Sequence, residues 1–404
     1  MVVIGRESAR GPTARVGHYR ARDGSHGAPV DVDVDGPHAG LVVGTRGAGK
    51  TYTLGVMLEG LAEAGGVAPV VADPMGAFAP LADADIDASV VEARVRADSL
   101  GPRAWCAMLG LDPESGAGAL VWQAATAQET LPGMTDWVAD ADAAPAASRA
   151  ARNHLSLAES WGVFDADGHA AGELCDGGVT VLALDGVDRA PANAALAAVA
   201  SELYEARVAE RTDRLPWLLV DEAHAFTDGV AERALRRLFT RGRQPGVSCW
   251  LATQRPSALP AVAVSQADLL VAHRLTSERD IAALTEARPT YLDGRLDSRL
   301  PTETGEALVV DDVTESTHHV QVRERRTPHG GGSPRASAWA AARSAPGSDG
   351  DDGPGETDGQ QRAGEVDRRV ERCPQSGTRL PQRDGVERKG GEGRKGATGT
   401  RSDE

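Results

Sequence analysis

The sequence predicts an α/β protein built on a doubly wound, mostly parallel sheet. Two observations carry that expectation. Short apolar runs alternate with stretches of helical spacing through residues 39–326. One run, residues 41–43, opens into a glycine-rich turn and then a helix, with another apolar run at residues 68–72. A strand–helix–strand unit of that length takes a right-handed parallel crossover.

Taken in order, residues 1–38 are short of core-forming side chains. There Val30, Val32 and Val34 alternate with Asp31, Asp33 and Asp35, the pattern of a half-exposed strand. The strand at 41–43 follows, then a helix whose apolar positions are Leu54, Val56, Met57, Leu58 and Leu61. The strand at 68–72 ends in Asp73, Pro74, Met75 and Gly76. Residues 86–170 turn Ala- and Asp-rich, with breaks at Gly101 and Pro102, Asp112 and Pro113, and Pro132 and Gly133, and they are expected to form a helical insertion on one side of the sheet. A strand at 179–184, a helix at 191–209, a strand at 215–220 and an arginine-bearing helix at 232–241 come next. Further strands are expected at 247–252 and 269–273, and after the apolar run 306–310 comes one last basic stretch, 323–326. From residue 327 the chain becomes Gly, Ser, Pro, Arg, Asp and Glu, too poor in apolar surface to offset the entropy of ordering, so 327–404 is expected to be a disordered tail. The expected organisation is a short N-terminal segment (1–38), one large domain (39–326) and that tail.

Composition narrows the function classes. The 404 residues carry a net charge of -16, with 59 acidic against 43 basic side chains, and nearly every basic residue is arginine. Such an acidic, lysine-poor chain reads as a protein kept soluble in high salt, where self-repulsion is screened. It argues against indiscriminate nucleic-acid binding, while leaving room for a local arginine-lined grip. The cysteines, Cys106, Cys175, Cys249 and Cys373, lack metal-ligand spacing and read as thiols of a reducing compartment. No leader-like apolar stretch and no run of membrane-spanning length is present, so the expected location is the cytoplasm, with no membrane partner.

The glycine-rich turn carries the chemistry. Gly44, Thr45, Arg46, Gly47, Ala48, Gly49, Lys50 and Thr51 spell a glycine, four residues, then Gly-Lys-Thr, with Tyr52 next. Backbone N–H groups of such a loop cradle phosphate oxygens, and the helix N-terminus adds its positive end. Lys50 is placed to reach the β- and γ-phosphates of ATP, and Thr51 to give its hydroxyl to Mg²⁺. It is also the only lysine before Lys389. The second element is an acidic pair closing an apolar strand: Leu218, Leu219, Val220, Asp221, Glu222. Asp221 would hold Mg²⁺ through its water shell and Glu222 would polarise the attacking water. Gln254, in Thr253, Gln254, Arg255, Pro256, Ser257, is the candidate sensor of the γ-phosphate or lytic water. Between these lie Arg233, Arg236, Arg237, Arg241 and Arg243, most of them read as a solvated helix face. Arg243, just before a strand, is the candidate finger inserted into a neighbouring subunit's site. His224 reads as a structural hydrogen-bonding residue.

Taken together, the segment 44–51, the Asp73-Pro74-Met75-Gly76 turn, Asp221-Glu222-Ala223-His224 and Thr253-Gln254-Arg255-Pro256-Ser257 resemble the HerA/FtsK-type P-loop ATPases, nearest to the archaeal HerA translocase–helicases. Residues 265–268 and 272–277 resemble that group's downstream segment. The resemblance covers about residues 39–326. It implies a RecA-like core, a homo-oligomeric ring (typically a hexamer), Mg²⁺-ATP hydrolysis and movement along double-stranded DNA. It also implies that residues 86–170 are the family's usual insertion. HerA proteins carry a small β-barrel before the P-loop strand, and here fewer than forty residues precede it, so a partner nuclease and DNA end-resection are not expected. A stripped core of this kind also suits a plasmid- or virus-encoded DNA pump or a conjugation motor.

Three rivals are weaker. The DEAH helicases share the Asp-Glu-Ala-His box but need a second RecA-like domain, for which no room remains before the tail. A non-hydrolysing ATP switch would lack Glu222 or the sensor. A small-molecule kinase would show a lid or acceptor site, which the sequence does not offer.

Overall fold

The computed structural model describes residues 2–330 except positions 8, 9, 22, 288–290 and 292–294. Within them one sheet holds twelve strands. These are β1 (Val2–Ile4), β2 (Thr13–Arg20), β3 (His26–Asp33), β4 (Ala39–Val43), β5 (Val67–Asp73), β6 (Ala88–Glu92), β7 (Val179–Ala183), β8 (Leu215–Val220), β9 (Ser248–Thr253), β10 (Leu269–Ala272), β11 (Glu306–Asp311) and β12 (Ser316–Val322). In space they run β1-β3-β2-β12-β11-β10-β4-β9-β8-β5-β7-β6. From β10 to β6 every pairing is parallel. Antiparallel pairs then extend the sheet through β11, β12, β2 and β3, with β1 added parallel to β3.

Successive strand residues point to opposite faces, and here both faces are covered. Leu41, Val43, Leu218, Val220 and Leu251 join one core; Val42, Trp217, Leu219, Trp250 and Ala252 join the other. That two-sided burial is why the central strands read as continuous apolar runs. The helices are α1 (Lys50–Glu63), α2 (Pro102–Met108), α3 (Gly116–Ala127), α4 (Leu131–Asp140), α5 (Pro145–Ser160), α6 (Ala171–Cys175), α7 (Arg189–Val208), α8 (Ala231–Arg241), α9 (Ala261–Ser265) and α10 (Glu278–Glu286).

Two regions differ from expectation. The stretch 86–170 does contain α2 to α5, and Trp105, fully buried on α2, stacks on Phe164 with ring centroids 4.7 Å apart. Its beginning, however, is β6, the edge strand beside β7. An edge strand that leaves Val90 largely exposed has no apolar run to betray it. The N-terminal residues form three strands rather than one, and Ile4, Ala14, Val16, Val30 and Val32 are core. Asp31 and Asp33 are buried too, not solvent-facing. Asp31 pairs with Arg15, and Asp33 with Arg6 at 2.7 Å and His38 at 3.1 Å. Alternating Val and Asp gave the strand correctly; the buried ion pairs could not be read from one strand.

After β12 the chain crosses back over α1. Glu59, fully buried on that helix, accepts from Arg323 Nη1 at 2.6 Å, from the Arg326 N–H at 2.9 Å, and from Thr327 N–H and Oγ1 at 2.9 and 2.7 Å. Thr327 is therefore a buried clasp residue. From residue 331 the expected tail, including Cys373, lies outside the described residues. Cys106, Cys175 and Cys249 are free and buried. Among the described residues no helix is long and apolar enough to cross a membrane.

Candidate active site

The predicted residues gather where parallel strands end. The turn 44–49 follows β4, Asp221 and Glu222 follow β8, and Gln254 follows β9, which lies between β4 and β8. Carboxyl ends of parallel strands are where an α/β sheet opens a crevice. Gly47 (φ 75°) and Gly49 (φ 124°) take left-handed backbone angles that a side chain would strain, and a Cβ at Gly47 would meet nothing within 4 Å. The turn is braced from outside: the Thr45 N–H donates to the Arg274 carbonyl at 2.8 Å, and the Gly305 N–H to that of Ala48 at 3.3 Å.

Lys50, 5% exposed, donates from Nζ to the Thr45 carbonyl at 3.1 Å. Burial pulls its pKa below the usual lysine range, opposed by the charges of Glu222 and Asp221. Thr51 Oγ1 donates to Asp221 Oδ2 at 2.7 Å. Asp221 is 1% exposed, and burial pushes its carboxyl up to about 6. Its Oδ1 accepts the Glu222 N–H at 2.9 Å. Glu222 has φ 47°, a left-handed angle that a non-glycine residue holds at a cost and that recurs at functional sites. Its Oε2 accepts from Gln254 Nε2 at 3.4 Å and lies 3.2 Å from His224 Nδ1.

The structure does not bring every candidate together. Arg46 is exposed at the apex of the turn. Tyr52 points away from the turn: its hydroxyl accepts the Arg325 N–H at 2.6 Å, and its ring meets His329 edge-on at 5.8 Å. Arg243 lies exposed in the connection between α8 and β9. The strand β9 enters the sheet at Ser248 and reaches the site at Thr253. Arg243 thus precedes β9 at its amino end, while Gln254 of the same chain follows its carboxyl end.

His273, not singled out from sequence, supports the turn from beneath. It is fully buried just past β10, and burial pushes its pKa down to about 4. A neutral ring donating from Nδ1 to the Glu306 carbonyl (2.7 Å) leaves Nε2 to accept from Thr53 Oγ1 (2.9 Å). A polar residue closing an apolar strand, as Asp221 closes β8, was the available signal.

The residues present fit a nucleotide phosphate with a divalent cation. Thr45 Oγ1 is buried without a partner, Lys50 is buried beside the open turn, and the desolvated carboxyl of Asp221 is paired with a hydroxyl. No group of three His, Cys, Asp or Glu side chains able to hold a metal occurs among the described residues. Asp221 and Thr51 suit Mg²⁺, which binds through one or two protein oxygens together with substrate phosphates.

No family model matches the sequence, and no curated protein matches it. Solved structures share its fold. VirB4 of Thermoanaerobacter pseudethanolicus superposes with a TM-score of 0.60 at 16% identity, over 80% of this chain and 99% of that one. TrwB, a bacterial conjugative coupling protein solved unbound, gives 0.53 at 16% identity over 79% of this chain and 91% of its own. TrwB in complex with ADP and Mg²⁺ gives 0.53 at 16% identity over 80% and 98%. At that identity the likeness is one of fold, and the RecA-like α/β architecture expected from the motifs is the one this chain has.

Proposed function

We propose that this chain is a Mg²⁺-dependent ATPase motor of the HerA/FtsK type that moves double-stranded DNA as a homo-oligomeric ring. The observation that carries the ATPase is the convergence of Lys50, Thr51, Asp221, Glu222 and Gln254 on one edge of the sheet. Backbone N–H groups of residues 46–51 hold the phosphates, and Lys50 balances the charge on the transferring group. Thr51 through its hydroxyl and Asp221 through the ion's water shell would hold Mg²⁺, which when bound neutralises phosphate charge. Glu222 takes a proton from the water whose oxygen bonds to the γ-phosphorus as the bond to the β–γ bridging oxygen breaks and ADP leaves. Gln254, hydrogen-bonded to Glu222, reports whether the γ-phosphate is present. Arg243, which precedes β9 at its amino end, serves a neighbouring subunit's site.

DNA as the moved polymer rests on the motif resemblance, and the fold shared with TrwB, a plasmid coupling protein, supports it. The same likeness favours a plasmid-encoded DNA pump over a repair helicase. The test is ATP turnover in high salt, with and without linear double-stranded DNA, for the protein and its Glu222→Gln variant. Stimulation by DNA that vanishes in the variant is expected; turnover indifferent to DNA removes the translocase. Arg243→Ala should lose turnover and recover it in rings mixed with wild-type subunits, and absence of recovery removes the finger in trans.

A further inference from the structure

The two oxygens of the Glu222 carboxylate are treated differently. Oε2 accepts from Gln254 Nε2 at 3.4 Å and lies 3.2 Å from His224 Nδ1, an ion-pair contact rather than a hydrogen bond. Oε1 has no hydrogen-bond partner among the described residues. His224 Nδ1 also lies 3.3 Å from Thr253 Oγ1, on the fully buried last residue of β9. The partners fix the tautomer. A lone pair on Nδ1 would face a carboxylate oxygen with no proton between them, so Nδ1 carries the hydrogen. Thr253 Oγ1 already accepts the Arg255 N–H at 3.0 Å and keeps a second lone pair for this shared donor. A single imidazole N–H, bonded to Thr253 at the tip of the strand between β4 and β8, therefore stands 3.2 Å from the Glu222 carboxylate and attracts it.

We propose that His224 is a positioning residue for Glu222. Anchored to Thr253 through Nδ1, it holds its N–H dipole beside Oε2 and leaves Oε1 as the oxygen that accepts the water proton. This rests on the reading of Glu222 as the general base. The need is physical: Glu222 sits at a left-handed backbone angle at the end of β8, and its flexible side chain is only half-buried. Pinning one oxygen restricts its rotamers before substrate arrives, and in-line attack depends on such placement. Gln254 can move to the γ-phosphate while His224 keeps its hold, so sensor and base separate without the base losing its orientation.

The test uses side chains that reproduce one ring nitrogen at a time. An Asn amide N–H falls where Nδ1–H stands, and a Gln amide reaches where Nε2 stands. His224→Leu and His224→Gln should lower kcat for ATP about 10–100-fold, with KM unchanged within about threefold, while His224→Asn recovers most of the rate. Binding of a fluorescent ATP analogue should be unaltered throughout, which separates this effect from misfolding. Thr253→Ser should keep activity and Thr253→Val lose part of it. In a Glu222→Gln background, His224→Leu should lower turnover no further. Equal rates for the Leu and Asn variants, a KM shift as large as the kcat shift, or a further loss in that background each overturn the positioning role. Parent-rate turnover by Glu222→Gln alone is a different failure: it removes the general base, and this inference with it.

Discussion

Two buried carboxylates within the same domain behave in opposite ways. Glu59 is fully buried on α1, and Asp221 is 1% exposed at the end of β8. Burial alone would push both pKa values up. At Glu59 the hydrogen bonds from Thr327 and Arg323 and the Arg323 charge outweigh it and hold the carboxyl below the usual range. At Asp221 burial wins, and the carboxyl rises to about 6 despite Thr51 and the Glu222 N–H. The buried histidines repeat the contrast. Burial is outweighed at His38 by Asp268 and Asp33, which raise it to about 9, while His273 beneath the turn falls to about 4. Glu59 and His38, which hold the fold together, lie against opposite charges that outweigh burial. The groups around the turn are left short of them, which is the state a site needs if the missing charge arrives with substrate.

The largest effect expected from breaking this contrast is chemical. Lys50→Ala should abolish nucleotide binding or turnover. Glu222→Gln should lower kcat about a hundred- to ten-thousandfold while still binding ATP, as measured by single-turnover hydrolysis beside equilibrium binding. Neither variant should unfold earlier than the parent in urea, since neither residue is a saturated clasp. Glu59→Ala should do the reverse. Removing it strands Arg323 without its carboxylate and frees residues 323–327 from α1, costing about 3 kcal/mol in urea unfolding. An unchanged midpoint would mean that the clasp contributes little. Its pH sign follows from the lowered pKa: the contribution is present above the ordinary carboxylate range and lost as pH falls through the lowered value.

Much of this candidate site's placement was legible in advance because it is local. The turn 44–51 and the pair Asp221–Glu222 each follow an apolar strand, and a strand ending in chemistry is visible within ten residues. The clasp was not legible, because Glu59 and Thr327 are joined by a contact 268 residues apart in sequence. The residues around Thr327 read as the start of a disordered tail for want of apolar side chains, yet polar bonds to one buried carboxylate hold them. The strands β2 and β12 escaped for a related reason. They are rich in His, Arg and Thr, and only the pairing of β12 with β2 turns them into a sheet. Tyr52 shows the limit of motif reading: adjacency to Thr51 suggested a nucleotide contact, but helical geometry turns its hydroxyl to Arg325.

The smallest effect sharpens the contrast most, because its sign is unusual. Replacing a site carboxylate should stabilise the nucleotide-free protein. Asp221 has a folded pKa of about 6, above its ordinary value of 3.8. The folded state thus binds the proton more tightly than the unfolded chain, and stability falls as pH rises from about 4 to about 6. An amide carries no charge to desolvate, though it cannot accept the Glu222 N–H and the Thr51 hydroxyl equally well. Asp221→Asn should therefore gain about 1–2 kcal/mol over the parent at pH 8 and nothing at pH 4, measured by urea unfolding without nucleotide. Adding Mg²⁺ and a non-hydrolysable ATP analogue should reverse the order, since only the parent keeps the carboxylate proposed to hold the cation and the stabilisation grows with ligand concentration over Kd. A gain at both pH values would trace to packing rather than to the buried charge, and would leave Asp221 no different in kind from Glu59.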